Sequence, residues 1–195
     1  MAMSPRVVLF TCYPEPGKVK TRLIPAMGPD RAARLHRVLT ERTVLAVQDS
    51  GLTLEVRSTG APLAAFNDWL EARSIVDQGN GDLGEHLTRA GPPYPTLFIG
   101  SDAPDLTSDL LRNAANALNH ADAVIGPAED GGYWLLGLAR AVNRVFDGID
   151  WSTDMVFSQT MARFAAAGID PLLLPELADC DRPGDLARWP GLLPA

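Results

Sequence analysis

The chain has 195 residues, 46% of them hydrophobic and 21% charged, a balance that excludes a disordered chain and suits one globular domain over residues 1–195. A formal net charge of −7 excludes a general nucleic-acid binder, which needs a basic face to neutralise phosphates. With two cysteines far apart, no apolar run near the ~20 residues of a membrane helix, and a Val7–Cys12 stretch shorter than a secretory core, no disulfide framework, membrane span or signal peptide is expected. The protein is expected in the cytosol.

In chain order, Arg6 to Cys12 is a short apolar, β-branched run bounded by Pro14 and Pro16, and reads as a buried central strand. Residues 13–29 form a Pro/Gly-rich loop. A helix follows from Asp30 to Asp49, with Leu35, Val38, Leu39 and Leu45 on one face and His36 on the surface. Leu52–Arg57 alternates as a strand, Pro62–Leu70 is a short helix and Ser74–Asp77 a short strand. Gly79–Gly84 leads into a helix near 83–90, and Thr96–Gly100 is a further buried strand. Thr107 can cap a helix to about Asn119. Strands at Ala123–Gly126 and Tyr133–Leu138 come next, then a helix capped by Ser152 or Thr153 and running to about Ala167. Pro171–Leu174 is a last strand, and Pro183 opens a terminal helix with Asp181 as its N-cap.

Strands alternating with helices predict a three-layer α/β/α sandwich around a mainly parallel, Rossmann-like sheet. Ligands of such sheets bind beyond the carboxyl ends of the strands, so loops 13–28, 101–106 and 127–132 should meet at one edge.

Charge is unevenly spread. Residues 101–195 carry 6 basic and 14 acidic groups, and the only two lysines, Lys18 and Lys20, sit in the first loop with Arg22. That loop reads either as a polyphosphate cradle or as a solvated basic loop. It is not a P-loop, because Cys12 stands where that motif needs glycine. Asp102 follows a strand and is placed either to bind a hard divalent cation or to serve a Ser-Asp-Pro turn, the latter role suiting Asp105 better. Asp130-Gly131-Gly132 is either a ligand-approach loop or a plain hairpin turn. Asp181 is either a helix cap or a second carboxylate for the cation. Asp154 stands at the same expected edge but also makes an ordinary acidic helix start.

The segments FTCYPEPGKVKTRL, GDLGEHL, GSDAPDL, GPAEDGGYWLLGL, WSTDMV and DCDRPGDL, in that order, resemble a bacterial family with the glycosyltransferase-A fold. It belongs to the nucleotide-diphospho-sugar transferase superfamily, with phospholactate and molybdenum-cofactor guanylyltransferases as more distant relatives. The resemblance implies that Gly17, Lys18, Lys20 and Arg22 hold donor phosphates, and that Asp102 and Asp181 bind Mg2+ or Mn2+. It places Asp130, Gly131 and Gly132 toward the acceptor or sugar, Asp130 being the candidate base or hydroxyl orienter and Asp154 a further acceptor-side residue. The chain departs from the pattern at Cys12, where a basic residue is usual, and at His86, which replaces a common arginine. The implied partners are a nucleotide or nucleotide-sugar donor and a small-molecule acceptor. Glycosyl transfer releasing a nucleoside diphosphate is the first reading. Nucleotidyl transfer releasing pyrophosphate is the alternative, and a non-catalytic nucleotide-binding module the third.

Overall fold

The computed structural model describes residues 4–70 and 74–193. Among these residues seven strands form one sheet: β1 (Arg6–Cys12), β2 (Thr53–Thr59), β3 (Ile75–Asp77), β4 (Thr96–Ile99), β5 (Ala123–Pro127), β6 (Tyr133–Leu138) and β7 (Leu172–Leu173). Their order across the sheet is β3-β2-β1-β4-β6-β5-β7. All run parallel except β6, which is antiparallel to both β4 and β5. The reversal follows from the short 128–132 connection, too brief for the crossover that parallel neighbours require.

Helices α1 (Ile24–Met27), α2 (Pro29–Ser50), α3 (Leu63–Trp69), α4 (Leu83–Ala90), α5 (Ser108–Ala117) and α6 (Val156–Ala166), with 3-10 turns at Thr21–Leu23 and Pro183–Arg188, complete the described elements, so the stretch 13–29 expected as a loop carries a 3-10 turn and α1 in its second half. Side chains alternate across the sheet. Val7, Leu9, Leu97 and Leu135 join Val44, Val47, Phe66 and Leu111 in one core, whereas Val8, Phe98, Ile125 and Leu136 join Leu87 and Phe164 in the other. A third cluster packs Leu35 and Leu39 of α2 against Leu23, Cys180 and Leu192, which ties the loop after β1 to the C-terminal segment. No helix among the described residues is long and apolar enough to cross a membrane.

Several local expectations change. Thr107 does cap α5, accepting from the Leu110 amide at 3.3 Å. Helix α6, however, starts only at Val156, after Met155, with Thr153 closing a turn through bonds to Asp150 and Met155. The terminal helix is a 3-10 turn, Pro183–Arg188. Asp181 does not cap it, because the Asp185 carboxylate accepts from the Asp181 and Arg182 amides at 3.0 and 2.7 Å. Leu45 is 57% exposed rather than inward. His36 is buried rather than on the surface, because it faces the end of β1, where its Nε2 meets the Cys12 carbonyl and Thr11 Oγ1.

Gly126 and Gly137 let the sheet pack closely. A Cβ on Gly126 would stand 2.3 Å from the Trp134 indole, which is itself fixed by its Nε1–H donating to the Pro175 carbonyl at 3.0 Å. Gly126→Ala should therefore destabilise by about 1–3 kcal/mol through overpacking. Denaturant unfolding would read this as a lower midpoint at unchanged slope.

Candidate active site

At the carboxyl edge of the strands lies a cleft of about 560 Å³. Its walls bring together Arg22, Asp102, Asp130, Gly132, Asp154 and Asp181, six of the residues singled out from the sequence. Loops from β1, β4 and the β5–β6 hairpin thus converge as the strand order requires.

The centre of the edge is Lys20. Its ammonium, with a side chain only 3% exposed, lies 2.6 Å from Asp102 Oδ1 and 3.5 Å from Asp181 Oδ1, and donates to the Cys180 carbonyl at 2.7 Å. Arg22 holds the other Asp181 oxygen at 2.6 Å. The Asp102 and Asp181 carboxylates are therefore no farther apart than their two distances to one nitrogen allow, and a hydrogen bond from Cys180 N to the Asp102 carbonyl at 2.8 Å locks the two segments together. Burial works against the Lys20 charge, but Asp102 and then Asp181 outweigh it and hold the ammonium above its usual value. Desolvation likewise pushes the Asp102 carboxyl up, yet the Lys20 charge and hydrogen bond, with the nearby His36, leave it below the usual carboxylate range. Lys20 itself adopts φ 47° and ψ 41°, left-handed backbone that costs a non-glycine residue roughly 1–2 kcal/mol. The ion pairs offset that strain.

Beneath Lys20 and Asp102 lies a buried polar ladder. His36 Nε2 meets the Cys12 carbonyl at 2.9 Å and Thr11 Oγ1 at 3.3 Å, and Thr40 Oγ1 reaches both Thr11 Oγ1 at 3.3 Å and Ser101 Oγ at 3.2 Å. The ladder fixes the ends of β1 and β4 relative to α2. Burial keeps the His36 ring below its usual pKa, more than the Cys12 carbonyl and Asp102 raise it.

Across the cleft the hairpin turn is built by Asp130, whose Oδ1 accepts from Gly132 N at 2.9 Å. Gly131, at φ +87°, lies against the Asp154 backbone so closely that a Cβ would stand 2.3 Å from the Asp154 carbonyl oxygen. Its own carbonyl accepts from Phe157 N at 2.8 Å. The Asp-Gly-Gly loop is thus a hairpin turn and a cleft wall at once, with Gly131 packed behind the wall and Gly132 in it. Asp179, not singled out from sequence, also lines the cleft. Its carboxyl faces that of Asp130 and is pushed up to about 7, first by burial, then by the negative charges of Asp130 and Asp102.

Two expected phosphate contacts stand elsewhere. Lys18 is exposed and paired with Glu15 at 2.9 Å, and neither Lys18 nor Gly17 lines the cleft. Asp105 accepts from the Trp189 indole at 3.0 Å and serves the C-terminal turn. Asp102 and Asp181, which converge on the Lys20 ammonium, are the carboxylates that could hold a small divalent cation, with further positions left to water and phosphate. Among the described residues no group of three or more His, Cys, Asp or Glu side chains is arranged to hold an ion by itself.

Residues 26–153 match the model of the family described as uncharacterized protein conserved in bacteria (DUF2064). A crystal structure from Desulfovibrio desulfuricans G20, named as a candidate nucleotide-diphospho-sugar transferase, is 34% identical over 92% of this chain and 84% of its own, with a TM-score of 0.86. The fold alone is shared with two more distant proteins. One is the CMP:2-keto-3-deoxy-manno-octonic acid synthetase complexed with CTP, at 12% identity, 95% and 96% coverage and TM-score 0.58. The other is the inositol-1-phosphate CTP transferase of T. maritima, at 10% identity, 95% and 93% coverage and TM-score 0.59. No curated protein matches the sequence.

Removing the Lys20 charge leaves two carboxylates facing each other. Because about half of the Asp102 side chain reaches solvent, Lys20→Met should cost less than the roughly 3–5 kcal/mol of a fully buried orphan charge, about 1–3 kcal/mol. The stabilisation of Asp102 by Lys20 is present above the ordinary carboxylate pKa and is lost as pH falls through the lowered folded value. The difference between wild type and Lys20→Met should therefore be constant near neutrality and shrink on acidification below about pH 4, as measured by denaturation at a series of pH values.

Asp179 has the opposite sign. Between the ordinary value of 3.8 and about 7 the folded protein keeps a proton that the unfolded chain has lost, so this group erodes stability as pH rises through that window. Asp179→Asn should raise the melting temperature at pH 8 and have little effect at pH 4. Each kcal/mol of relief corresponds to roughly 2–4 °C in a chain of this size.

Proposed function

We propose that this chain, which belongs to the bacterial DUF2064 family, is a divalent-metal-dependent transferase that takes a nucleotide-diphospho-sugar as donor and passes the sugar to a small-molecule acceptor. The observation that carries this reading is the cleft itself: two carboxylates held together on one cationic centre, in a space of about 560 Å³ that Asp130, Asp154 and Asp179 also line. The likeness to the Desulfovibrio protein supports the donor class.

Asp102 and Asp181 would hold Mg2+ or Mn2+. When bound, the ion supplies positive charge against the leaving diphosphate. Arg22, fixed by Asp181, adds a guanidinium on the same side. Asp130 stands on the acceptor side, where it orients the acceptor hydroxyl and accepts its proton. The acceptor oxygen then bonds to the sugar carbon as the carbon–oxygen bond to the diphosphate breaks, and that electron pair leaves with the phosphate oxygen.

Nucleotidyl transfer is the second reading, favoured by the fold shared with CTP-using transferases. It asks for more cations to neutralise departing pyrophosphate. In this chain Lys18 is outside the cleft and the Lys20 ammonium is spent on Asp102, Asp181 and the Cys180 carbonyl, leaving Arg22 and Arg182 in the walls. That deficit favours glycosyl transfer.

Product analysis with a panel of nucleotide sugars, nucleoside triphosphates and magnesium separates the readings. Release of a nucleoside diphosphate is expected; pyrophosphate would establish the second reading, and neither product a binding module. Asp102→Ala should lower metal-dependent turnover by at least tenfold while leaving the melting profile cooperative. Unchanged metal-dependent turnover in that variant would remove Asp102 from the site.

A further inference from the structure

The two walls of the cleft differ in charge. On the donor wall Asp102 and Asp181 are matched by Lys20 and Arg22, and Arg182 follows Asp181 in the chain. On the opposite wall, residues 128–134 and 151–156 contribute Asp130 and Asp154, Asp179 stands beside them, and no lysine, arginine or histidine from these segments reaches the cleft. Tyr133 and Trp151 add aromatic surface to the cleft lining. A phosphate or carboxylate placed there would meet the Asp130 and Asp154 carboxylates, with no cationic side chain among residues 128–134 and 151–156 to offset them. A hydroxyl-rich, uncharged molecule would find carboxylate acceptors for its O–H groups and aromatic faces for its C–H surface.

This wall is also rigidly built. Segment 151–154 is gripped from two sides by glycines of two motifs. A Cβ on Gly84, in the GDLG turn, would stand 3.0 Å from the Phe146 carbonyl oxygen and 3.2 Å from the Trp151 indole nitrogen, and Gly131 abuts Asp154. Between them Ser152 is held at φ 66°, a left-handed conformation that a serine keeps only when its surroundings impose it. The GDLG motif therefore acts on the site through Trp151, although of its four residues only Leu83 lines the cleft.

We propose that the Trp151–Asp154 wall, with Asp130 and Asp179, selects a neutral polyhydroxyl acceptor and rejects phosphorylated and carboxylated ones, Gly84 and Gly131 being its positioning residues. The proposal rests on the transferase reading above, and its test begins by measuring nucleotide binding in the presence of magnesium. With the tightest-binding nucleotide present, ligand-observed NMR then compares myo-inositol with inositol 1-phosphate, glucose with glucose 1-phosphate and glycerol with glycerol 3-phosphate. At least one neutral member should bind, at least tenfold tighter than its phosphate, and Asp154→Lys should reverse that preference. Gly84→Ala should weaken the neutral ligand several-fold without changing nucleotide affinity, a split that a general loss of stability would not produce. Equal or tighter binding of the phosphate member, or nucleotide binding with no neutral ligand bound at all, overturns the proposal while leaving the transferase reading in place. Failure of every nucleotide to bind overturns both.

Discussion

One ammonium nitrogen organises the carboxyl edge of this sheet. Lys20 reaches inward from the end of the irregular 13–20 stretch, immediately before the 3-10 turn Thr21–Leu23, and its charge is acceptable in a nearly closed position only because Asp102, Asp181 and the Cys180 carbonyl surround it. Three segments far apart in sequence, the β1 loop, the end of β4 and the stretch before the terminal 3-10 turn, are thereby fixed to one point. The cost of an unpaired buried charge makes this arrangement nearly all-or-none, which is why a left-handed lysine backbone persists there.

The support below that point is polar and above it is open. Thr11, His36, Thr40 and Ser101 fill the space between α2 and the strand ends with hydrogen bonds where the rest of α2 presents aliphatic side chains. Such a network specifies position more tightly than an aliphatic contact, because each misplaced group would lose a partner in a low-dielectric setting. The carboxylates it underlies are consequently preorganised before any ligand arrives. On the far side, glycine packing replaces hydrogen bonding: Gly84 and Gly131 hold the 151–154 segment by close backbone approach.

Much of this was legible in the sequence, for identifiable reasons. Continuous apolar runs marked β1 and β4, because strands buried on both faces show no alternation. Strand-terminal placement brought Asp102 and Asp130 to one edge, and the start of the terminal helix was expected to bring Asp181 there too. Other features were not legible. Composition could not tell that Lys20 turns inward while Lys18 stays in solvent beside Glu15, since two cations two residues apart look alike until the loop is folded. His36 looked like a surface residue because its burial comes from hydrogen bonds to the polar end of β1, a contact that the apolar periodicity of the helix does not mark. Asp179 did carry a signal: in extended chain, residues on either side of buried Cys180 project to the same face, so Asp179 should accompany Asp181. Asp181 was freed for the cleft by Asp185, which took over the capping expected of it.

The central claim is that the Lys20 cluster holds Asp102 and Asp181 as one cation site. It is tested most directly by the anomalous signal of manganese in crystals grown with a nucleotide. One ion in contact with both carboxylates, and with the nucleotide phosphates on the Arg22 side, is the predicted result. An ion bound away from this pair, with Asp102 and Asp181 still held only by Lys20 and Arg22, would contradict it.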